Sequence, residues 1–76
     1  MSESEWLDIF GDNLANLLDE ANMTQQELAE AADLSKGSIS SYINKRKMPS
    51  IRAVLNISKA LDIDVCELID FGEIIF

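Results

Sequence analysis

The sequence predicts an all-α fold, a compact bundle of five short helices, and three observations predict it. Apolar residues recur at spacings of three and four along most of the chain, the period of an amphipathic helix. Ser2, Thr24, Ser35, Ser50 and Asp64 each stand just ahead of such a run, where a side-chain oxygen can accept from the unpaired N–H groups of a first turn. One proline and three glycines leave little to break the runs. Seventy-six residues suffice for one domain, expected to span residues 1–76. A chain this short buries only about 60% of its unfolded surface, enough for one core and too little for a deep substrate cavity.

The first helix starts at Ser2, which forms a capping box with Glu5. Trp6, Phe10, Leu14, Leu17, Leu18 and Ala21 make its apolar stripe, with Asp8, Asp12, Asp19 and Glu20 mostly off it. Gly11 weakens this helix by about 1 kcal/mol relative to alanine, so a bend or a later start is expected there. Asn22 is a left-handed terminator. Thr24 and Glu27 form a second capping box, and Leu28, Ala31 and Ala32, with Ala29 beside them, supply the apolar side of helix two. Asp33 takes the turn position, since Asp tolerates the left-handed region better than most residues. Ser35 caps a third helix with Ile39, Tyr42 and Ile43 inward. The basic stretch 44–48 then runs into Pro49, and the extended geometry forced on the residue before a proline makes it a loop. Ser50 caps a fourth helix whose inward stripe is Ile51, Val54, Leu55, Ser58 and Leu61, with Ile57 at the margin. Asp64 and Glu67 cap a short fifth helix with Val65, Leu68 and Ile69 inward. The tail 71–76 reads FGEIIF, apolar and β-like. Such an end either pairs with a partner copy, as a dimerisation segment, or folds over its own core.

Composition excludes several classes of function. Apolar residues at 47% are too many for a disordered tail. No apolar run approaches the roughly 20 residues that span a bilayer, and Met-Ser-Glu-Ser-Glu is no secretory leader, so a cytoplasmic protein without a membrane partner is expected. Cys66, the single cysteine, is expected to be a buried small hydrophobe. There is no histidine, and no carboxylate pair stands at a defined catalytic spacing. No catalytic residue, metal ligand, cofactor or small-molecule ligand is therefore expected. Asp62 and Asp64 read as turn and cap residues.

A net charge of −8 looks wrong for a nucleic-acid binder, but the charges are laid out in blocks. Residues 1–34 hold nine acids and no base; residues 60–76 hold five acids and no base. All six bases, Lys36, Lys45, Arg46, Lys47, Arg52 and Lys59, fall in the acid-free stretch 35–59. A solvated helix face mixes signs, whereas one anion-binding face needs this segregation.

The stretch from Thr24 to Pro49, TQQELAEAADLSKGSISSYINKRKMP, resembles the lambda-repressor-like (Cro/XRE) helix-turn-helix family. The matching residues are Thr24, Gln25, Leu28, Ala29, Leu34, Ser35, Ile39, Ser40, Tyr42, Pro49 and Ser50, and 58–64 is similar to the family's closing segment. The resemblance covers roughly residues 8–70. Three positions depart from the pattern: Asp33 at a turn often held by Gly, Ile43 at a position often acidic or Gln, and Lys45 where Gly follows. The likeness implies a helix-turn-helix at helices two and three, with residues 24–44 docking on DNA. Leu28, Ala29, Leu34 and Ile39 would set the crossing of the two helices without touching DNA.

The resemblance also implies a division of roles. Helix three would lie in the major groove with its first residues nearest the bases. Lys36, Gly37, Ser38, Ser41 and Asn44 are the candidates for base reading, and for the serines a solvated surface remains an equal alternative. Gln25 sits at a helix start, a natural phosphate site, and Ser40, Lys45, Arg46 and Lys47 are the other candidates for phosphate binding. The implied function is a sequence-specific transcriptional regulator, phage-type or chromosomal and more often a repressor, binding palindromic operator DNA as a homodimer. The alternative is a protein-interaction module on the same fold, an anti-repressor or antitoxin-like partner, which the overall acidity favours and the unmixed basic block opposes.

Overall fold

The computed structural model describes residues 2–69; the tail 71–76 lies outside them. Five helices follow one another: α1 (Glu3–Ala21), α2 (Gln25–Ala31), α3 (Lys36–Ile43), α4 (Ile51–Leu61) and α5 (Val65–Leu68). Each expected start is where a helix begins. Ser2 and Thr24 accept from the N–H groups of Glu5 and Glu27, and those glutamates accept back from the Ser2 and Thr24 N–H. Ser35 and Ser50 hydroxyls cap α3 and α4 at 3.0 Å. Glu67 Oε2 accepts from the Asp64 N–H at 3.1 Å to start α5.

The first four helices stop by one device. Asn22, Asp33, Lys45 and Asp62 all take positive φ, from 55° to 63°. Each sends its own N–H back into the last turn, and the next residue's N–H reaches the carbonyl one residue further back, as in Asn22 to Asp19, Met23 to Leu18, Lys45 to Tyr42 and Arg46 to Ser41. These bonds satisfy the orphan carbonyls of a helix end. None of the four residues is glycine, and three are Asn or Asp, whose short side chains tolerate the left-handed region.

The core is one cluster. Phe10, Leu14 and Leu18 from α1, Leu28, Ala29 and Ala32 from α2, Ile39 and Tyr42 from α3, Ala53, Val54 and Ile57 from α4, and Leu68 from α5 are buried together. Trp6 stacks on Phe10, and Phe10 meets Tyr42 edge-on at 6.0 Å, which ties α3 to α1. Asn13 Nδ2 donates to the Leu68 carbonyl at 2.9 Å and fastens the end of α5 to α1.

Several packing expectations are corrected. Ala21 and Ala31 are exposed, and the α2 seam is Leu28, Ala29 and Ala32. Ile57 is central on α4 and fully buried, whereas Ile51 and Leu55 face out, 81% and 45% exposed. Apolar residues lie around much of α4, so periodicity alone admits two stripes. Packing against α2 and α5 selects the one containing the small residues Ala53 and Ser58. The buried Ser58 hydroxyl is satisfied by the Leu55 carbonyl at 2.8 Å. Cys66 is exposed, because on a helix of four residues the inward positions go to Leu68 and, partly, Val65. Gly11 does not interrupt α1, which runs unbroken from Glu3 to Ala21. A Cβ there would lie 2.9 Å from the Tyr42 carbonyl oxygen and 3.1 Å from that of Ile43, so the glycine lets α1 pass close to the end of α3.

Candidate nucleic-acid interface

Helix α3 is held from behind and open in front. Ile39 and Tyr42 are buried against α1 and α2, and Leu34 and Ile43 pack at the edges. Lys36, Gly37 and Asn44 are consequently exposed, and Ser38, Ser40 and Ser41 half-exposed. Lys36 and Gly37 occupy the first turn, beside N–H groups that carry the positive end of the helix dipole. Gln25 holds the same place on α2 and is half-exposed.

The hydroxyls and amide of this face are partly committed to one another. Ser35 Oγ accepts from the Ser38 N–H and donates to Ser38 Oγ, both at 3.0 Å. Asn44 Nδ2 donates to the Ser40 carbonyl at 2.9 Å and to Ser40 Oγ at 3.2 Å. These bonds fix the rotamers of Ser38, Ser40 and Asn44 before any ligand arrives. Ser41 has no such bond among the described residues, and neither does Lys36.

A Cβ on Gly37 would meet nothing nearer than Ser35 Oγ at 3.8 Å, so the fold itself does not require that glycine. Lys45, expected among the flexible phosphate-binding cations, is instead folded back: its Nζ lies 2.8 Å from Asp12 Oδ1 and 3.8 Å from Asp8 Oδ1. The hydrogen bond that Lys45 donates to Asp12 raises the Lys45 pKa above its ordinary value. Arg46 and Lys47 are exposed and form no ion pair among the described residues. The remaining bases divide off: Arg52 and Lys59, with Asn56 between them on α4, line a shallow groove with Asp33 at the end of α2.

Residues 14–68 match the model of the helix-turn-helix family, more than two thirds of the chain. The chain belongs to the helix-turn-helix family of the Cro/C1 (XRE) type. This XRE-type chain is accordingly a DNA-binding transcription regulator and no enzyme, with α2 and α3 as the helix-turn-helix of a lambda-repressor-like fold. It is similar to the restriction-modification controller protein C.AhdI from Aeromonas hydrophila, at 27% identity and a TM-score of 0.80 over 82% of this chain and 94% of that one. It shares its fold with the hypothetical transcription factor NHTF from Neisseria, at 19% identity and a TM-score of 0.82 over 91% of this chain and 79% of that one. No protein of curated function matches the chain in sequence. Among the described residues, no helix of this XRE-type regulator is long and apolar enough to cross a membrane.

Three features of the regulator's surroundings escape sequence reading. The Asp8 and Asp12 pair with Lys45 joins residues more than thirty positions apart. Its only trace in the sequence is a lysine where the family pattern has glycine. The close approach at Gly11 is visible only once α1 and α3 are packed. The outward turn of Ile51 and Leu55 is a choice between two apolar stripes that packing against α2 and α5 makes.

Proposed function

We propose that this regulator is a repressor that docks α3 in the major groove of a palindromic operator and binds it as a homodimer. One observation carries the reading: α3 is locked from behind by Ile39 and Tyr42 while Lys36, Gly37, Ser41 and Asn44 face outward with Arg46 and Lys47 directly beyond. In this reading Lys36, Gly37, Ser38, Ser41 and Asn44 approach bases. Gln25, Ser40, Arg46 and Lys47 contact phosphates, with Gln25 offering an amide at a helix start. The likeness to a restriction-modification controller, nearly all of whose chain is spanned, supports a role at a specific operator.

The homodimer is supported by an apolar face that no residue of α3 lines. Ile51, Leu55 and Met48 are exposed and border one groove with Trp6, Val65 and Ile69. A small domain gains by covering such a patch. The tail 71–76, apolar in sequence, is the further candidate for that contact.

Selection of bound duplexes from a random library at low salt tests both parts. A two-fold dimer places its recognition helices about 34 Å apart, so the selected sites should be inverted repeats with half-sites centred about 10 base pairs apart. Sites without symmetry would overturn the dimer. An absence of salt-sensitive duplex binding would overturn the docking itself and leave the protein-interaction reading.

A further inference from the structure

We propose that Asp8 and Asp12 act as an internal counter-ion that withholds Lys45 from DNA phosphates, so that of the loop's three cations only Arg46 and Lys47 contribute to affinity. The proposal rests on the DNA-docking reading above.

Three features of the fold converge on this arrangement. Lys45 stands at a left-handed position, φ 63°, where neither a short side chain nor a glycine relieves the backbone. Its backbone role, closing α3 onto Tyr42, would be served better by glycine, so the side chain accounts for the lysine. Across from it, Gly11 opens the surface of α1: a Cβ there would come within 2.9 Å of Lys45 Cγ. The lysine stem therefore lies across α1 in a slot that only a glycine provides. At the end of that slot Asp8 and Asp12, four residues apart on one face of α1, bracket the ammonium at 3.8 and 2.8 Å.

The consequence concerns binding. The stem is largely covered, whereas both carboxylates remain about two-thirds exposed. A phosphate that recruited Lys45 would have to displace two anions and then lie beside them. The pair thus disfavours non-specific binding on the flank of α3, where attraction by charge alone would otherwise be strongest. Rejecting wrong partners by placed like charge is a recognised source of specificity.

The salt dependence of binding to an arbitrary duplex tests this, because each phosphate neutralised adds about 0.9 to the slope of log K against log salt. Four full chains are compared: the natural protein, Lys45→Met, Asp8→Asn with Asp12→Asn, and the triple variant. Methionine keeps the apolar stem, and asparagine keeps the carboxylate shape. Thermal melts confirm that all four fold. Lys45→Met alone should leave the slope unchanged. The double variant should steepen it by about 0.9 and tighten binding severalfold. Adding Lys45→Met should cancel that steepening. The proposal is overturned if Lys45→Met alone flattens the slope by that amount, since Lys45 would then already sit on phosphate. It is also overturned if the double variant leaves the slope unchanged, or steepens it equally with and without Lys45. If the natural protein shows no salt-dependent binding at all, the docking reading fails too, and that outcome is recognisable without any variant.

Discussion

Helices α3 and α4 each carry a residue that the isolated fold does not want. On α3 it is Gly37, exposed in a helical turn with no neighbour that excludes a side chain. On α4 it is Ile51, 81% exposed at the first helical position. Both break a local rule: a glycine weakens a helix, and a large aliphatic gains nothing in water. Elsewhere such departures have internal causes, as Gly11 has in the backbone of α3. Where the cause is missing inside the chain, a partner is the natural place to look for it. The two helices point to different partners. A bare backbone suits close approach to DNA, and an uncovered isoleucine suits another apolar surface.

The sharpest way to break this comparison is to test which side of α4 is the core. Ile57→Ala should cost about 2–5 kcal/mol of folding stability, because Ile57 is fully buried and a cavity remains. Ile51→Ala should change the stability of the dilute protein by less than about 0.5 kcal/mol. Denaturant titration measures both. Equal losses would return α4 to the orientation expected from its periodicity. In sedimentation at higher concentration, Ile51→Ala should weaken self-association while Ile57→Ala, where it folds, should not.

That test touches the limit of what the chain reveals by itself. Helix starts are legible because a capping side chain lies within three residues of the groups it satisfies, as at Ser2, Thr24, Ser35 and Ser50. The left-handed ends at Asn22 and Asp33 are legible for the same local reason. The α2–α3 motif adds a pattern of many residues at set spacings. Orientation is not local. Ile57 and Ile51 both satisfy a 3.6-residue period, and only packing against the other helices separates them. Cys66 is similar: a small apolar residue is expected inside, but α5 is too short to bury more than Leu68 fully. The Lys45 pair is least visible, since nothing near position 45 in the chain announces Asp8 and Asp12.

The two glycines sharpen the comparison with effects of opposite sign. Gly11→Ala should destabilise by about 1–3 kcal/mol, since the new methyl meets carbonyl oxygens of α3 that cannot move freely. Gly37→Ala should stabilise by up to about 1 kcal/mol, since it removes a weak helix former from open space. Yet it should lower DNA affinity if the backbone of α3 approaches its operator there. Thermal melts give the stabilities and a duplex titration the affinity. A Gly37→Ala protein that is more stable and binds unchanged would remove the argument for a close partner on α3.

The smallest effect separates the helices by pH. Helix α2 starts with a carboxylate, whereas α3 and α4 start with the hydroxyls of Ser35 and Ser50, which do not titrate. The Thr24 backbone N–H bound to Glu27 at 2.9 Å, and then the Thr24 side chain, hold the Glu27 pKa below its ordinary value. Ser2 lowers Glu5 in the same way, through its side chain first and its backbone second. A carboxylate with a depressed folded pKa stabilises the fold above its unfolded pKa and loses that contribution as pH falls through the folded value. Both boxes are therefore complete at neutral pH and fail in acid. Glu27→Gln keeps an acceptor and discards the charge. Its melting temperature should lie below that of the natural protein at neutral pH, and the two should converge as pH falls past the ordinary carboxylate range. A gap that persists in acid would mean that Glu27 supports α2 by something other than its charge. Convergence would place an acid-sensitive step in the motif's leading helix and leave α3 and α4 capped.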